Sequence, residues 1–154
     1  MTNTILAILT KAAMSAKVSA VLLVAICSHE SQDFTLTYNH KDGGSPSYGI
    51  CQVKEATARW LGFKGKTKEL MNPKVNATYA AKYLAKHADN YGEEDWCKVT
   101  AAYNAGRYNE SPVYPGYPRN IKYIRLVQKK LPETQKSRLA CGLTKVAKNE
   151  HETN

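Results

Sequence analysis

No segment of the chain is long and apolar enough to cross a bilayer: the longest apolar run, Val18 to Cys27, falls well short of the roughly 20 residues a spanning helix needs. No secretory leader is expected from the first residues either. The sequence opens Met1-Thr2-Asn3-Thr4 without a basic segment, Lys11 and Lys17 interrupt the apolar residues, and no cleavage pattern separates from the helix that follows. These absences lead to the expectation of a soluble protein made in a cytoplasm. No Cys-x-x-Cys pair occurs among Cys27, Cys51, Cys97 and Cys141, which argues against a zinc site or a redox motif, so neither metal nor cofactor is expected. Cys27 with Cys51 is one conceivable bridge, but sequence settles no pairing, and the four are read first as free, buried thiols acting as small hydrophobes.

Basic residues are plentiful but unclustered. The 22 Lys and Arg exceed the 13 Asp and Glu to give a net charge of +9, yet only Lys129 and Lys130 are adjacent. Such a surplus attracts polyanions in general, whether nucleic acid, anionic lipid or a bacterial wall. The missing basic tract removes the signature of a nucleic-acid-binding arm. The hydrophobic fraction of 43% and charged fraction of 23% are those of an ordinary globular protein, and 154 residues make one domain with a real core.

The hydrophobic periodicity is mostly helical. Thr4 to about Ala16 carries an amphipathic stripe of Ile5, Ile8, Leu9, Ala12 and Ala16, and a buried helix is predicted over Val18–Ser31. Residues 32–49 hold Asp, Asn, Gly, Ser and Pro around Thr35-Leu36-Thr37-Tyr38, which reads as a loop with one weak hairpin. A helix from about Lys54 to Leu61 stops at Gly62. Asn72-Pro73 opens a long helix with small residues at Ala77, Ala80 and Ala81, which imply close packing by another helix, and Gly92 ends it. Asp95 caps a helix over Trp96–Ala105, residues 107–118 form a Tyr/Pro/Asn-rich loop, and a last helix spans Arg119 to Leu131 before Pro132. Residues 1–132 are therefore read as one mainly α domain, with a C-terminal extension over 133–154 made of a short helix and a frayed tail.

Within this pattern Glu30 stands out. Leu23, Ile26, Cys27 and Glu30 fall at i, i+3, i+4 and i+7, so the carboxylate continues a core-facing stripe. Burial disfavours the charged form and raises a carboxyl pKa, as a general acid working near neutrality requires.

Three segments in order carry a family resemblance: His29-Glu30-Ser31, Ser45-Pro46-Ser47-Tyr48-Gly49-Ile50-Cys51-Gln52-Val53, and Ala101-Ala102-Tyr103-Asn104-Ala105-Gly106. They resemble the "ES", "GLMQ" and "AYNAG" motifs of soluble lytic transglycosylase domains. Thr57-Ala58, Leu61-Gly62, Leu70-Met71-Asn72-Pro73 and Tyr83-Leu84 are similar to the connecting pattern of that family, and the resemblance covers roughly residues 18–131. It implies a mainly α, lysozyme-like fold with a small irregular or β-hairpin segment around residues 32–50. It also implies peptidoglycan glycan strands as partner and Glu30 as the one general acid/base. Glu30 would protonate the β-1,4 oxygen between N-acetylmuramic acid and N-acetylglucosamine, then take the proton of the muramyl C6 hydroxyl as a 1,6-anhydro ring closes.

By the same resemblance Ser45, Gln52, Tyr103, Asn104 and Tyr123 are candidate substrate-binding residues. Each has a plainer role as well. Ser45 and Ser47 suit a turn, Gln52 a surface amide, and Asn104 a helix end. The Tyr103 ring continues the Trp96/Val99 stripe, and its hydroxyl, once buried, needs a partner, for which Glu30 is expected. Tyr108, Tyr114 and Tyr117 compete with Tyr123 for the family's later tyrosine, His29 is read as solvated or packing, and Ser31 as fixing local backbone. Cys51 stands where the family usually has methionine, and Pro46 where longer members carry glycine-alanine.

The middle segment is also similar to that of animal-type lysozymes, whose second carboxylate would fall at Ser47. A hydrolase with two flanking carboxyls needs that acid, and Asp42 would replace it only if its loop folded back. A transglycosylase is expected over a muramidase. A compact domain of this kind is read as a monomeric bacteriophage endolysin that reaches the wall after membrane breach, with a conjugation or secretion transglycosylase as the competing setting. A non-catalytic basic module binding wall or nucleic acid is the rival from another class.

Overall fold

The computed structural model describes residues 2–142. Helix α1 (Asn3–Ala16) begins where the Thr2 hydroxyl accepts the Ile5 amide at 3.4 Å. It ends at Lys17, whose left-handed backbone returns its N–H to the carbonyls of Ala13 and Met14. Ser19 starts α2 (Ala20–Glu30) by accepting from the Leu22 amide at 3.2 Å. That capping bond trims the helix from the Val18–Ser31 reading, because a serine hydroxyl competes for backbone amides at a helix start. Leu22, Leu23, Ala25, Ile26 and Cys27 are all buried, so α2 is apolar nearly all round and central to the core. Its first turn exposes Val21, and its last turn, bearing the half-buried Glu30, reaches the surface again.

Three short strands follow, β1 (Tyr38–Asn39), β2 (Ser47–Tyr48) and β3 (Val53–Lys54), in one antiparallel sheet of order β1-β2-β3. Tyr38 pairs with Tyr48, and Ser47 pairs with Lys54. The third strand, absent from the single-hairpin reading, arises because positive φ at Gly49 (75°) and Gln52 (51°) folds residues 49–52 into a tight return. The chain continues through α3 (Glu55–Trp60) and a 3-10 turn (Thr67–Met71) into α4 (Pro73–Tyr91). Asn72 caps α4 by accepting from the amides of Lys74 and Val75, with Pro73 in the first turn. Ala77, Ala80 and Ala81 are fully buried, and α1 and α5 are the helices that pack most extensively on α4.

Asp95 accepts from the Lys98 amide to open α5 (Trp96–Ala105), and α6 (Ile121–Gln128) is shorter than Arg119–Leu131. At its start the Asn120 side chain is committed to Ala101 O and Asn104 Oδ1. At its end Lys130 and Leu131 donate to the carbonyls three residues back, a 3-10 tightening ahead of Pro132. A 3-10 helix over Glu133–Leu139 then places Leu139 in the core. The frayed tail expected beyond it, residues 143–154, lies outside the described residues. The fold is mainly helical with one small sheet, and no described helix is long and apolar enough to cross a membrane.

The cysteines are not free thiols. Cys27 is bonded to Cys51 and Cys97 to Cys141. Cys27 with Cys51 is the bridge the sequence left conceivable, while nothing in it pointed to Cys97 with Cys141; the return of residues 49–52 onto α2, and of Cys141 onto α5, supplies each partner.

Asn76, fully buried in α4, locks the same return. Its Oδ1 accepts the Cys51 amide at 2.8 Å, and its Nδ2 donates to Tyr48 O at 2.6 Å and Leu70 O at 2.8 Å. Gly49 passes so close that a Cβ there would lie 2.7 Å from Leu70 O and collide with the Asn76 amide. Asn76→Ala would strand two buried backbone groups and one partly buried, and the expected loss is about 2–4 kcal/mol of stability. Urea unfolding measures it, and a wild-type midpoint with unchanged slope would contradict this role.

Candidate active site

Glu30 is the last residue of α2, and its carboxyl forms one wall of a cleft of about 320 Å³. The opposite walls come from the sheet and α3 (Asp42, Gln52, Val53, Lys54, Thr57) and from α4 and α5 (Tyr83, Tyr103, Asn104, Ala105, Gly106). A larger groove of about 710 Å³ lies elsewhere, between α1 and α4, but it offers lysines and no acid and so cannot deliver a proton in the way Glu30 can. Glu30 is only half-buried, yet its pKa is pushed up, chiefly by burial. A hydrogen bond from Tyr123 opposes that rise, the Asp42 charge adds to it, and the Lys54 charge reduces it.

Tyr123 Oη donates to Glu30 Oε1 at 2.6 Å, joining residues 93 positions apart. Burial and the Glu30 charge hold the Tyr123 hydroxyl well above its ordinary pKa, so it stays a neutral donor. His29 packs edge-on against the Tyr123 ring at 5.1 Å, with its pKa lowered by burial and then by Lys130. Ser31 fixes the helix end: its hydroxyl donates to Cys27 O at 2.7 Å and accepts the Phe34 amide at 3.1 Å.

The other candidates fall in different places. Tyr103 lines the cleft with its ring 5.0 Å from that of Tyr83, but its hydroxyl does not reach Glu30; the expected bond is made by Tyr123 instead. The reason is that α6 packs directly on α2 and carries Tyr123 to Glu30. Gln52 also lines the cleft, but its amide is committed internally. Oε1 accepts from Ser47 Oγ at 2.7 Å, while Nε2 donates to Gly49 O at 2.9 Å and Leu36 O at 3.3 Å. Asn104 reaches the cleft with its Oδ1 held by Asn120 Nδ2 at 2.9 Å, and among the described residues its own amide donates to nothing.

Ser45 is not brought to the cleft. It precedes Pro46, which holds it extended (φ −138°, ψ 149°), and its side chain is exposed. Ser47, two residues on along the strand, turns inward instead and is fully buried. Asp42 does reach the cleft, because the 3-10 turn Asp42–Gly44 folds back over β3. Lys54 Nζ donates to Asp42 O at 2.8 Å and lies 3.9 Å from its carboxylate.

Tyr83, Thr57, Lys54 and Asn120 are functional neighbours that no sequence motif singles out. Thr57 and Tyr83 lie within the connecting pattern of the resemblance, which was the available signal. Lys54 and Asn120 offered none, since their importance depends on the partners that the fold brings to them, Asp42 for one and Ala101 and Asn104 for the other.

A helical domain with a shallow sheet and one pKa-raised carboxyl at a helix end over a polar cleft belongs to the lysozyme-like class. A family model described as "Transglycosylase SLT domain" matches residues 7–113, and the chain belongs to that family. At the level of the family this is lytic transglycosylase chemistry on peptidoglycan. Protein IpgF of Shigella sonnei and protein IpgF of Shigella flexneri are each 33% identical to this chain over 98 residues, covering 62% of it and 63% of theirs. The match thus spans less than two-thirds of those relatives, and no solved structure gives a significant match. The family match ends before Tyr123, whose bond to Glu30 is shown by the structure alone.

The raised pKa of Glu30 has a consequence for stability. The folded state binds this proton more tightly than the unfolded state does, so ionising Glu30 destabilises the fold. That cost is absent below the unfolded carboxyl pKa and fully present above the folded one. Glu30→Gln, which keeps an acceptor for Tyr123, is therefore expected to raise the melting temperature at pH 7 and to give no gain near pH 3. A gain that is equal at both pH values, or no gain at either, would refute the burial account.

Proposed function

We propose that this protein cleaves the β-1,4 bond between N-acetylmuramic acid and N-acetylglucosamine in peptidoglycan as a lytic transglycosylase, with Glu30 as its general acid and then its base. The observation that carries this reading is the half-buried, pKa-raised Glu30 held at one oxygen by Tyr123 while facing the cleft. Protonated Glu30 gives its proton to the bridging oxygen as the C1–O bond breaks, and the N-acetylglucosamine side leaves as an alcohol. The muramyl C6 oxygen then bonds to C1, and its proton returns to the Glu30 carboxylate. The acid is regenerated, no water is consumed, and the product carries a 1,6-anhydro ring. Tyr123 supports both halves: a neutral donor on Oε1 steadies the carboxylate after proton transfer and keeps the other oxygen directed at the sugar. Asn104, with an uncommitted amide, is the side chain best placed to donate to substrate; Tyr103 and Tyr83 supply the apolar wall.

A specific observation favours a second reading. Asp42 lines the cleft and its charge bears on Glu30, so a muramidase with Asp42 as second carboxyl is the rival. Against it, Asp42 is drawn to Lys54, and Ser47, in the position of the lysozyme acid, is occupied with Gln52.

The setting favoured is wall remodelling for a bacterial secretion or conjugation apparatus, ahead of phage lysis. The similar proteins are from Shigella, and two disulfides suit action on the oxidising side of the cytoplasmic membrane. A net charge of +9 suits an anionic wall in either setting.

Digestion of purified peptidoglycan followed by mass spectrometry of the fragments should show anhydromuramyl ends. Reducing muramic acid ends would establish the hydrolase. Glu30→Gln should cut the rate by about 10²–10⁴-fold. Asp42→Asn should leave activity within several-fold of wild type, whereas a loss of about 10²-fold would make Asp42 the second carboxyl.

A further inference from the structure

The chain has two tryptophans, and they lie in opposite environments. Trp96 is 1% exposed in the core, while Trp60 is 62% exposed at the end of α3. A lone exposed aromatic is unremarkable by itself, but the position of this one is not arbitrary. Thr57, one helical turn earlier on α3, lines the cleft. The Trp60 ring meets that of Tyr83 edge-on at 6.4 Å and 84°, and Tyr83, itself a cleft residue, lies 5.0 Å from Tyr103. A continuous row of three rings thus runs from the wall of the cleft out to solvent, ending in an uncovered indole. Its neighbour Arg59 does not cover it, being held by Glu55 at 2.6 Å and lying over the Phe63 ring instead.

We propose that Trp60, steadied by Tyr83, is a glycan-binding subsite outside the catalytic cleft, which stacks on a pyranose ring of the strand as it leaves Glu30. In a β-1,4-linked chain of N-acetylated sugars each ring presents a face of axial C–H bonds, while its hydroxyls and acetamido group project from the rim. The C–H face is apolar and slightly positive and matches the negative face of an indole, and the rim stays hydrated. An indole anchored at one edge by Tyr83 loses little side-chain freedom on binding. The subsite would select substrate by strand length, holding longer glycans better than short ones.

This inference rests on the reading of the cleft as a glycan site, and the test separates the two. Because Trp96 is buried, a change in tryptophan emission on ligand binding reports Trp60. The full chain carrying Glu30→Gln is titrated with the trimer and the hexamer of N-acetylglucosamine, with affinity measured independently by calorimetry. The hexamer is expected to shift the emission to the blue and to bind more tightly than the trimer. Trp60→Ala should weaken the hexamer about tenfold and leave the trimer unchanged, with Trp60→Phe recovering most of the loss. On peptidoglycan, Trp60→Ala in the otherwise native chain should raise KM about tenfold with kcat nearly unchanged. Hexamer binding with silent emission, or equal affinity and KM in Trp60→Ala, would overturn the subsite even if peptidoglycan is cleaved. A Trp60-dependent hexamer response in a native chain that cleaves nothing would sustain the subsite and sink the catalytic reading.

Discussion

The three hydrogen bonds of Asn76 are the constraint on which the rest of this structure depends. They fix Tyr48, Cys51 and Leu70 to the interior face of α4. The Cys27–Cys51 bridge fixes the same segment to the last turn of α2. Two independent locks therefore meet on residues 48–52, one polar and one covalent. Between them they set the distance between the helix end that bears Glu30 and the sheet that closes the cleft. Gln52 and Ser47 complete the arrangement by satisfying each other and the loop carbonyls, so the cleft floor has little freedom to relax toward Glu30.

Around that frame the electrostatics of Glu30 are a balance between burial and donors. Burial is the largest influence and favours the protonated acid; Tyr123 is the largest opposing one and favours the carboxylate. A group that must first give and then take a proton benefits from such opposition, because neither charge state is strongly trapped. Asp42 and Lys54 bear on Glu30 with opposite signs and are drawn to each other, so their influences oppose. The site therefore works with one carboxyl set by its local surroundings, while the overall positive charge acts at longer range on an anionic wall.

The far side of the domain is held by a comparable device. The 3-10 helix Glu133–Leu139 inserts Leu139 beside the core, Arg138 lies 3.9 Å over the Trp96 ring, and Cys141 is bonded to Cys97 at the start of α5. This ties the segment after α6 to α5, and α6 carries Tyr123. Rigidity on this side thus bears on the Glu30–Tyr123 bond, because both helices that flank Glu30 are fastened away from the cleft.

The helices, their caps at Asn72 and Asp95, and the stripe that turns Glu30 toward the core were legible in the sequence, because helical periodicity and capping act over a few residues and leave a local trace. So was the inward-facing ring of Tyr103. The partner of Glu30 was not: Tyr103 and Tyr123 both match a tyrosine near the acid, and only the packing of α6 on α2 makes Tyr123 the donor. The same holds for Ser45, turned away by the proline after it, for Asp42, folded into the cleft by a three-residue turn, and for the four thiols, whose pairing depends on where a return and a late helix come to rest. What the sequence alone determined was the class of fold and the one acid suited to a buried helix end. Which groups surround that acid was left to tertiary structure, because contacts between residues 12 to 93 positions apart depend on how whole elements pack, and no local pattern encodes that packing.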